Sequence, residues 1–346
     1  MRNITFTLLL FPFIFFSQIP EYYSTVDFSL SGDDLKDQLT LLIDQTHIVD
    51  LEYTPGVWDV LKQSDLNPED EDTVLLIYGY NDTDSKLQND RSRDVNLSCH
   101  TSGCIGLWNR EHVFPKSLGT PNLGTEFAGA DAHSLRPADS QMNSSRGNKV
   151  FEDGSGNATI TSNGNFYPGD EWKGDVARMM MYMYVRYPSQ CQATAVGIGA
   201  TSYSDFGDMP DIFLEWNSED PVSEFEITRN NIVAAAQGNR NPFIDNPYIA
   251  TRLWNGPEAE DTWNVLDINI QEELTTFIYP TVTRDCVTIH NYVEQDQLLS
   301  IYTVTGTQVT AQIDNNQVCL EDLASGMYFI SLQSVSNQQT FKVLKR

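Results

Sequence analysis

The chain has 346 residues, enough for two domains with buried cores. Its 48 acidic residues outnumber its 21 basic ones, and the net charge is −27. Because such a surface repels polyanions, the composition excludes a protein that binds nucleic acid over its whole surface, and any such site must be locally positive.

The N-terminal residues have the pattern of a signal peptide. Arg2 gives a basic start, and the apolar run at 8–16 is too short for a membrane span and is broken by Pro12. We therefore predict a signal peptide over residues 1–19 and a secreted protein, extracellular or at the cell surface. The remaining sequence offers no integral membrane span, and we expect a soluble monomer.

Two helices and a strand are predicted next. Apolar residues on one helical face predict a helix over 32–45, and residues 57–63 indicate a second, shorter helix. The unbroken apolar run at 74–78 predicts a buried strand. The polar stretch at 81–96 predicts a loop.

Three polar blocks follow, between residues 109 and 148. The blocks are NREHVFPK at 109–116, DAHSLRP at 131–137 and NSSRGN at 143–148. They predict a strand at 110–114, a return strand at 134–137 and a helix from Ser140 onward. A histidine, a neighbouring carboxylate, amides and arginines suit the cutting of a phosphodiester with one divalent metal.

His112 is the candidate general base. Hydrolysis needs an activated water, and an imidazole with an ordinary pKa near 6.5 is neutral at working pH. The alternative is a histidine of the core or surface with no catalytic role. Glu111 beside it, with Arg110 and Pro115, favours the catalytic interpretation.

The three blocks resemble the bacterial endonuclease I family of nucleases. The resemblance lies in Arg-Glu-His-x-x-Pro, Asp-x-His-x-Leu-Arg-Pro and Asn-x-x-Arg-Gly-Asn, and it continues over most of residues 70–255. Ala132 and Ser134 depart from the usual pattern, which leaves details of that loop open. The resemblance implies a ββα-metal core, 5′-phosphate products and action on DNA, often also on RNA.

The resemblance further implies a metal site. It makes Glu111 a direct ligand and Asn143, on the helix behind the strand pair, the second ligand. Carboxylate and amide oxygens favour Mg²⁺, with Ca²⁺ or Mn²⁺ as alternatives. Without a metal, Glu111 would be a surface carboxylate paired with Arg110 or Lys116, and Asn143 would be a helix N-cap.

Arg136 and Arg146 are the candidate phosphate clamps. The guanidinium fork matches phosphate oxygens, although each arginine could equally be solvated or structural. His133 lies inside the second block, but the family does not make it the base, so we expect it to hold the loop. Asp131 and Asn148 are expected to support the site or the fold.

Local charge is compatible with a polyanionic substrate. Residues 110–149 hold five basic and four acidic residues, whereas residues 205–273 hold fifteen acidic and three basic ones. The acidic excess therefore lies outside the predicted site.

The rest of this domain is predicted to be largely helical. Residues around 159–161 predict a hairpin, and a methionine-rich stripe predicts a core helix over 175–187. Asp220 and Pro221 predict the N-cap and first residue of a later helix, which the Asn-Arg-Asn-Pro run at 239–242 ends.

The C-terminal residues differ in composition. Short strands separated by turns over 277–346 predict a small β-sandwich. This block resembles the type A C-terminal sorting domain of the type IX secretion system, in Tyr-Pro-Thr-Val-Thr at 279–283, Leu-Ala-Ser-Gly-Met-Tyr at 323–328 and the basic tail. The resemblance implies the secretion machinery as a partner. The alternative is a carbohydrate-binding or adhesive β-module.

Disulfides are expected in an exported chain with five cysteines. Cys99 and Cys104 could pin the loop before the site, and Cys286 and Cys319 could pair within the C-terminal domain. Cys191 would then be left over.

The sequence thus predicts an α+β protein: a signal peptide (1–19), a helix-rich catalytic domain (20–256) around a ββα-metal core, an acidic linker (257–276) and an all-β sandwich (277–346). We predict a secreted, metal-dependent, sequence-nonspecific endonuclease. The alternatives are a non-catalytic cell-surface or adhesion protein on a nuclease scaffold, and a phosphodiesterase for small diesters.

Overall fold

The computed structural model describes residues 19–101, 103–264, 277–290, 298–314, 316–333 and 338–346. The chain divides into two compact units, one ending at Asp267 and one beginning at Ile268. Residues 1–18 of the predicted signal peptide and most of the predicted linker lie outside the described residues. Trp263, which the linker prediction includes, is buried against Tyr23 and Phe28 and belongs to the first unit.

Helices make up most of the first unit, and they are joined by short strands. The helices are α1 Gly32–Thr46, α2 Gly56–Ser64, α3 Ser140–Arg146, α4 Lys173–Arg186, α5 Asp211–Glu219, α6 Glu224–Gln237, α7 Pro242–Asp245 and α8 Tyr248–Trp254. The strands are β1 Leu66–Asn67, β2 Asp70–Leu75, β3 Ser92–Asp94, β4 Trp108–His112, β5 Leu135–Asp139, β6 Thr159–Ile160 and β7 Phe166–Tyr167. The predicted helices at 32–45 and 57–63 and the hairpin around 159–161 are confirmed.

Helix α4 forms the centre of the core. Met180, Met181 and Met183 are fully buried, and α4 packs against α1, α5 and α7. A helix that is apolar on nearly every side must be covered on every side. The predicted methionine-rich core helix is therefore confirmed.

The start of helix α6 differs from the prediction. The helix begins at Glu224 rather than at Pro221, because Ser223 and Glu226 form a capping box. Asp220 instead accepts a hydrogen bond from the backbone amide of Gly174 at 2.9 Å. Its carboxylate joins α4 to the loop after α5.

The predicted strand at 74–78 lies earlier in the chain than expected, at Asp70–Leu75. Strand β2 ends at Leu75 and pairs with β1 and β3 in an antiparallel sheet. The chain then turns through Tyr78, which has a φ of 71° and a fully buried side chain. The predicted loop at 81–96 contains a short 3₁₀ helix, Leu87–Asn89, and strand β3.

Strands β4 and β5 form an antiparallel pair, and α3 follows directly. Asp139 caps α3, and its carboxylate accepts hydrogen bonds from the amides of Gln141 and Met142. Asn143 is thus free of the capping role considered for it. This is the predicted strand–strand–helix order.

The second unit is built of strands. They are β8 Phe277–Tyr279, β9 Val282–Thr283, β10 Cys286–His290, β11 Leu298–Thr303, β12 Gln308–Val309, β13 Gln312–Asp314, β14 Gln317–Cys319, β15 Gly326–Gln333 and β16 Gln338–Lys345. Among the described residues, β13-β14-β10-β8 form one sheet and β12-β11-β15-β16-β9 another. Apolar residues of both sheets share one core, among them Val287, Val318, Ile301 and Ile330. The α+β class is confirmed.

Two disulfides are present in the described part of the chain. Cys99 pairs with Cys104, and Cys286 on β10 pairs with Cys319 on β14. Cys191 is a buried free thiol. None of the helices in the described ranges is long and apolar enough to cross a membrane.

Candidate active site

His112 is the last residue of β4 and is 8% exposed. Its Nε2 lies 2.9 Å from the carbonyl oxygen of Gly129. Because a carbonyl can only accept, this hydrogen bond assigns the proton of the neutral ring to Nε2 and leaves Nδ1 as an acceptor. Burial lowers the pKa of His112 to about 4, so the imidazole is neutral at working pH.

The carbonyl that orients His112 comes from a position that requires glycine. A Cβ at Gly129 would lie 2.4 Å from the backbone oxygen of Gly124. A larger residue would therefore force the backbone apart at the point where it holds the imidazole.

Tyr53 packs beside His112. The two rings are nearly parallel, with 5.6 Å between their centroids. The guanidinium of Arg110 lies 3.4 Å above the Tyr53 ring and 4.4 Å from the ring of Trp58, and it donates a hydrogen bond to the Tyr53 carbonyl. Lys116 is 5.7 Å from the same tyrosine ring. These residues form a cationic, aromatic surface next to His112.

Glu111 lies on the opposite face of β4 from His112. It is 2% exposed, and its Oε1 accepts hydrogen bonds from the hydroxyl of Tyr78 at 3.2 Å and from Arg146 at 3.1 Å. Burial raises the pKa of Glu111 to about 7 despite the nearby arginine. None of the described residues donates to its Oε2, which leaves this oxygen for another partner.

Asn143, on α3, is oriented by its amide nitrogen. Its Nδ2 donates to the side-chain oxygen of Asn109 at 2.9 Å and to the Arg110 carbonyl at 3.3 Å. Both amide protons are thus directed toward β4, and Oδ1 remains as an acceptor. Asn109 and Glu111 share one face of β4, so Asn143 is held on the Glu111 side of the strand.

Arg146 is fully buried and has a structural environment. Its guanidinium binds Glu111 and the carbonyl oxygens of His112 (3.0 Å) and Val113 (2.8 Å). Both terminal nitrogens of Arg146 are directed at the end of β4, which does not fit the phosphate clamp predicted for it. In this position, Arg146 holds Glu111 and the strand end in place.

Arg136 is also buried, with 1% of its surface exposed. Its Nε binds Asp65 at 2.5 Å and its Nη1 binds Asp175 at 2.8 Å, and Arg229 approaches the same Asp65 carboxylate at 3.2 Å. This buried ionic network leaves no route from Arg136 to a phosphate in solvent. The clamp prediction does not fit its position either.

The other motif residues form a buried network. Asp131 accepts hydrogen bonds from Tyr182 at 2.7 Å and from Gln237 at 3.0 Å, while Nε2 of His133 lies 3.0 Å from the carbonyl of Asn239. Asp131 and His133 are buried, as expected of residues that support the loop.

Comparison with known proteins gives the evolutionary context of this arrangement. The sequence model of the endonuclease I family matches residues 31–248. The chain belongs to the endonuclease I family. Over 238 residues, it is 40% identical to the extracellular ribonuclease of Bacillus subtilis (strain 168) and 40% identical to that of Bacillus amyloliquefaciens. Each alignment covers 65% of this chain and 75% of the relative.

The C-terminal unit has a separate assignment. The model of a secretion system C-terminal sorting domain matches residues 277–346 of this endonuclease I family member. The protein is thus a secreted or cell-surface nuclease, with nucleic acid as substrate and a sorting domain for the secretion machinery. The alternatives without nuclease activity are set aside.

The family is generally metal-dependent, and the donor atoms of this nuclease fit a hard divalent cation. The oxygens left over at Glu111 and Asn143 are a carboxylate and an amide oxygen. In the described ranges, no group of three or more His, Cys, Asp and Glu residues is placed to hold a metal. Glu111 and Asn143 would hold such a cation, and their carboxylate and amide oxygens would suit a magnesium-type ion better than zinc.

Several residues around this site were not predicted from the sequence. Tyr53 lies 59 positions before His112 and Tyr78 lies 33 before Glu111, and no motif links either pair. Gly129 lies in a glycine-rich connection with nothing to distinguish it. Asn109 opens the first block, and only the fold shows that it orients Asn143.

Proposed function

We propose that this nuclease hydrolyses the phosphodiester bonds of both RNA and DNA, without sequence preference, with His112 as the general base beside one magnesium-type ion. The observation that carries this proposal is the hydrogen bond from Nε2 of His112 to the Gly129 carbonyl. It leaves Nδ1 free to accept a proton from water.

In this mechanism the water proton passes to Nδ1 of His112. The imidazolium that forms keeps its hydrogen bond to Gly129, and its charge is favoured by the anionic phosphate. The pKa of about 4 in the free protein is therefore expected to rise when substrate binds. Stacking against Tyr53 keeps the ring in the same orientation throughout.

Glu111 and Asn143 would hold the cation. When bound, a divalent cation stabilises the extra negative charge on the phosphate and on the leaving 3′ oxygen. Glu111 must be ionised for this task, and Tyr78 and Arg146 restrain one carboxylate oxygen so that the other is presented.

Arg110 and Lys116 are proposed as the phosphate contacts, in place of Arg136 and Arg146. Both side chains are half-buried beside His112, and no carboxylate of the described residues pairs with either. Tyr53 and Trp58 keep the Arg110 guanidinium close to the surface. A cation without a protein anion is available to a substrate anion.

Action on both nucleic acids follows from water as the nucleophile. The two relatives are named extracellular ribonucleases, which supports RNA as a substrate. A reaction that uses water does not need the 2′-hydroxyl, so DNA should be cut as well. The products should carry 5′-phosphates, whereas attack by the 2′-hydroxyl would leave a 2′,3′-cyclic phosphate.

We also propose that separate segments of the chain carry the activity and direct export. Residues 20–256 carry the activity, residues 257–276 include the connection, and residues 277–346 direct export. The first unit, with its own core, supports this division.

The test uses the full-length protein on RNA and on supercoiled plasmid, with Mg²⁺ or with EDTA. We expect cutting of both substrates with Mg²⁺, none with EDTA, 5′-phosphate ends, and a loss of about 10²-fold or more in His112→Ala. His290→Ala, in the C-terminal unit, is the matched control and should be fully active. Cyclic phosphate products, or full activity in His112→Ala, would refute the proposed chemistry.

A further inference from the structure

A cavity of about 560 Å³ lies beside α3, between the 3₁₀ helix Leu87–Asn89 and the β6–β7 hairpin. Its volume is within the range of about 300–1,000 Å³ that is usual for small-molecule sites. Gln88 donates a hydrogen bond to Ser145 on α3 at 2.9 Å, which joins two of its walls. We call it the α3 cavity.

Two of its walls are apolar and open to solvent. Leu87 is 48% exposed and Ile160 is 47% exposed, and they come from separate segments that both line the cavity. Met142 and Phe166 add buried apolar surface. Apolar side chains on separate segments suit a flat ring with two apolar faces, such as a nucleobase.

Gln141 and Lys86 supply the polar groups of the α3 cavity that remain open to a ligand, whereas Gln88 and Ser145 bond to each other. Among the described residues, the side-chain amide of Gln141 forms no hydrogen bond, and Lys86 interacts with Asp84 only at a distance. None of the lining residues is acidic, although acidic residues predominate in the chain as a whole. A primary amide can donate to and accept from the edge of a base, and an ammonium group can bind a phosphate.

The α3 cavity is connected to the active site through the helix that carries Asn143. Gln141 and Ser145 are each two residues from Asn143, on the far side of α3 at 100° per residue. A helix is about 10 Å across with its side chains, so a strand passing from Asn143 to the cavity would span roughly three stacked nucleotides at about 3.4 Å each.

We propose that the α3 cavity binds one nucleotide of the substrate strand, about three positions from the phosphate that is cut. Its base would lie between Leu87 and Ile160 with an edge on Gln141, and its phosphate would contact Lys86. This inference rests on the proposed function and adds a preference to it. Since a base must leave its pair to enter the cavity, unpaired strands should be preferred over duplexes.

Binding is tested apart from catalysis. The full-length protein is titrated with adenosine 5′-monophosphate in EDTA and observed by saturation-transfer NMR. We expect binding that is weakened at least five-fold by Gln141→Ala and by Lys86→Ala. Lys62→Ala, a lysine on α2 outside the cavity, is the control and should bind as the wild type does.

Cleavage is then measured on single-stranded oligonucleotides of two to eight residues. We expect KM to fall by about tenfold once the strand can reach the α3 cavity, and Gln141→Ala to remove this gain with little change in kcat. Cleavage without nucleotide binding and without any effect of length would overturn the α3 cavity assignment alone. Nucleotide binding without cleavage of any nucleic acid would support the cavity and refute the proposed function.

Discussion

The ring of Tyr53 lies 5.6 Å from the imidazole of His112, centroid to centroid, with 24° between their planes. The two side chains come from distant segments, and the guanidinium of Arg110 rests on the same tyrosine ring. The stack restricts how far the imidazole can rotate, so we propose Tyr53 as a positioning residue.

We expect Tyr53→Ala to lower kcat by about tenfold, because misplacing a general base is costly even when its chemistry is intact. Tyr53→Phe keeps the ring and should stay within about twofold of the wild type. Steady-state kinetics on a fluorescent oligonucleotide would measure both. If Phe were as damaging as Ala, the hydroxyl rather than the stack would be the important group.

Substitution of Gly129 tests whether the carbonyl that accepts from Nε2 of His112 is needed to orient the ring. Gly129→Ala places a methyl group against the Gly124 carbonyl and should displace the oxygen that holds Nε2. We expect a loss of activity on the order of tenfold in kcat with the fold retained. Gly56→Ala is a matched control, because a Cβ there meets only ordinary contacts of 3.7 Å or more. Equal activity of the two variants would contradict this role.

Arg110 and Arg146 should behave in opposite ways. Arg110→Gln removes a proposed phosphate contact, so KM should rise and the slope of log affinity against log salt should fall by about one. Arg146→Met leaves the buried Glu111 without its ion pair and should destabilise the fold by about 3–5 kcal/mol. Salt titrations of binding and urea unfolding of both variants would measure this contrast. A salt-dependent binding defect in Arg146→Met without destabilisation would restore the clamp role.

In the proposed mechanism, the pKa of Glu111 would link activity to pH and to metal concentration. Burial raises this pKa to about 7, so below pH 7 protons compete with the cation for the carboxylate. We expect the Mg²⁺ concentration for half-maximal activity to rise by about tenfold for each pH unit below 7. High Mg²⁺ should therefore shift the acid limb of the pH profile to lower pH. If the acid limb of the pH profile does not move with Mg²⁺ concentration, a group other than Glu111 is responsible for it.

His133 should make the fold sensitive to acid. Burial lowers the pKa of His133 to about 4, below the ordinary value of 6.5. Between these two pH values the imidazole is protonated in the unfolded chain and neutral in the folded protein. The contribution of neutral His133 to the free energy of unfolding is complete above pH 6.5. It is lost as pH falls from 6.5 to 4, by about 3 kcal/mol in all. His133→Gln should reduce the slope of unfolding free energy against pH in this window. Urea unfolding at pH 7, 6 and 5 would show it, and an unchanged slope would contradict the assignment.

Local patterns predicted much of this fold. The methionine stripe of α4 and the ordered polar blocks of the ββα core each depend on residues close in the chain. The start of α6 was mistaken although its signal, Ser223 followed by Glu226, is equally local. Two competing cap patterns occur within seven residues, and the reciprocal pair prevailed because it satisfies two backbone amides rather than one.

The roles of the arginines could not be predicted in the same way. A guanidinium suits a phosphate and a buried carboxylate equally well, and only the fold decides which it meets. Arg136 finds Asp65 at 71 positions' separation, and Arg146 finds Glu111 at 35. These separations are too long for a short sequence motif to indicate either pairing. Arg110, within the first block, meets no carboxylate among the described residues and lies instead against the rings of Tyr53 and Trp58.

The pairing of Asp65 with Arg229 spans 164 positions, and Arg136 joins the same carboxylate. A fragment that stops before α6 would bury Asp65 and Arg136 with part of their partners missing. Incomplete chains should therefore gain little from partial collapse, and folding should be cooperative across the whole nuclease unit. The nuclease would then have no active partial form during its synthesis.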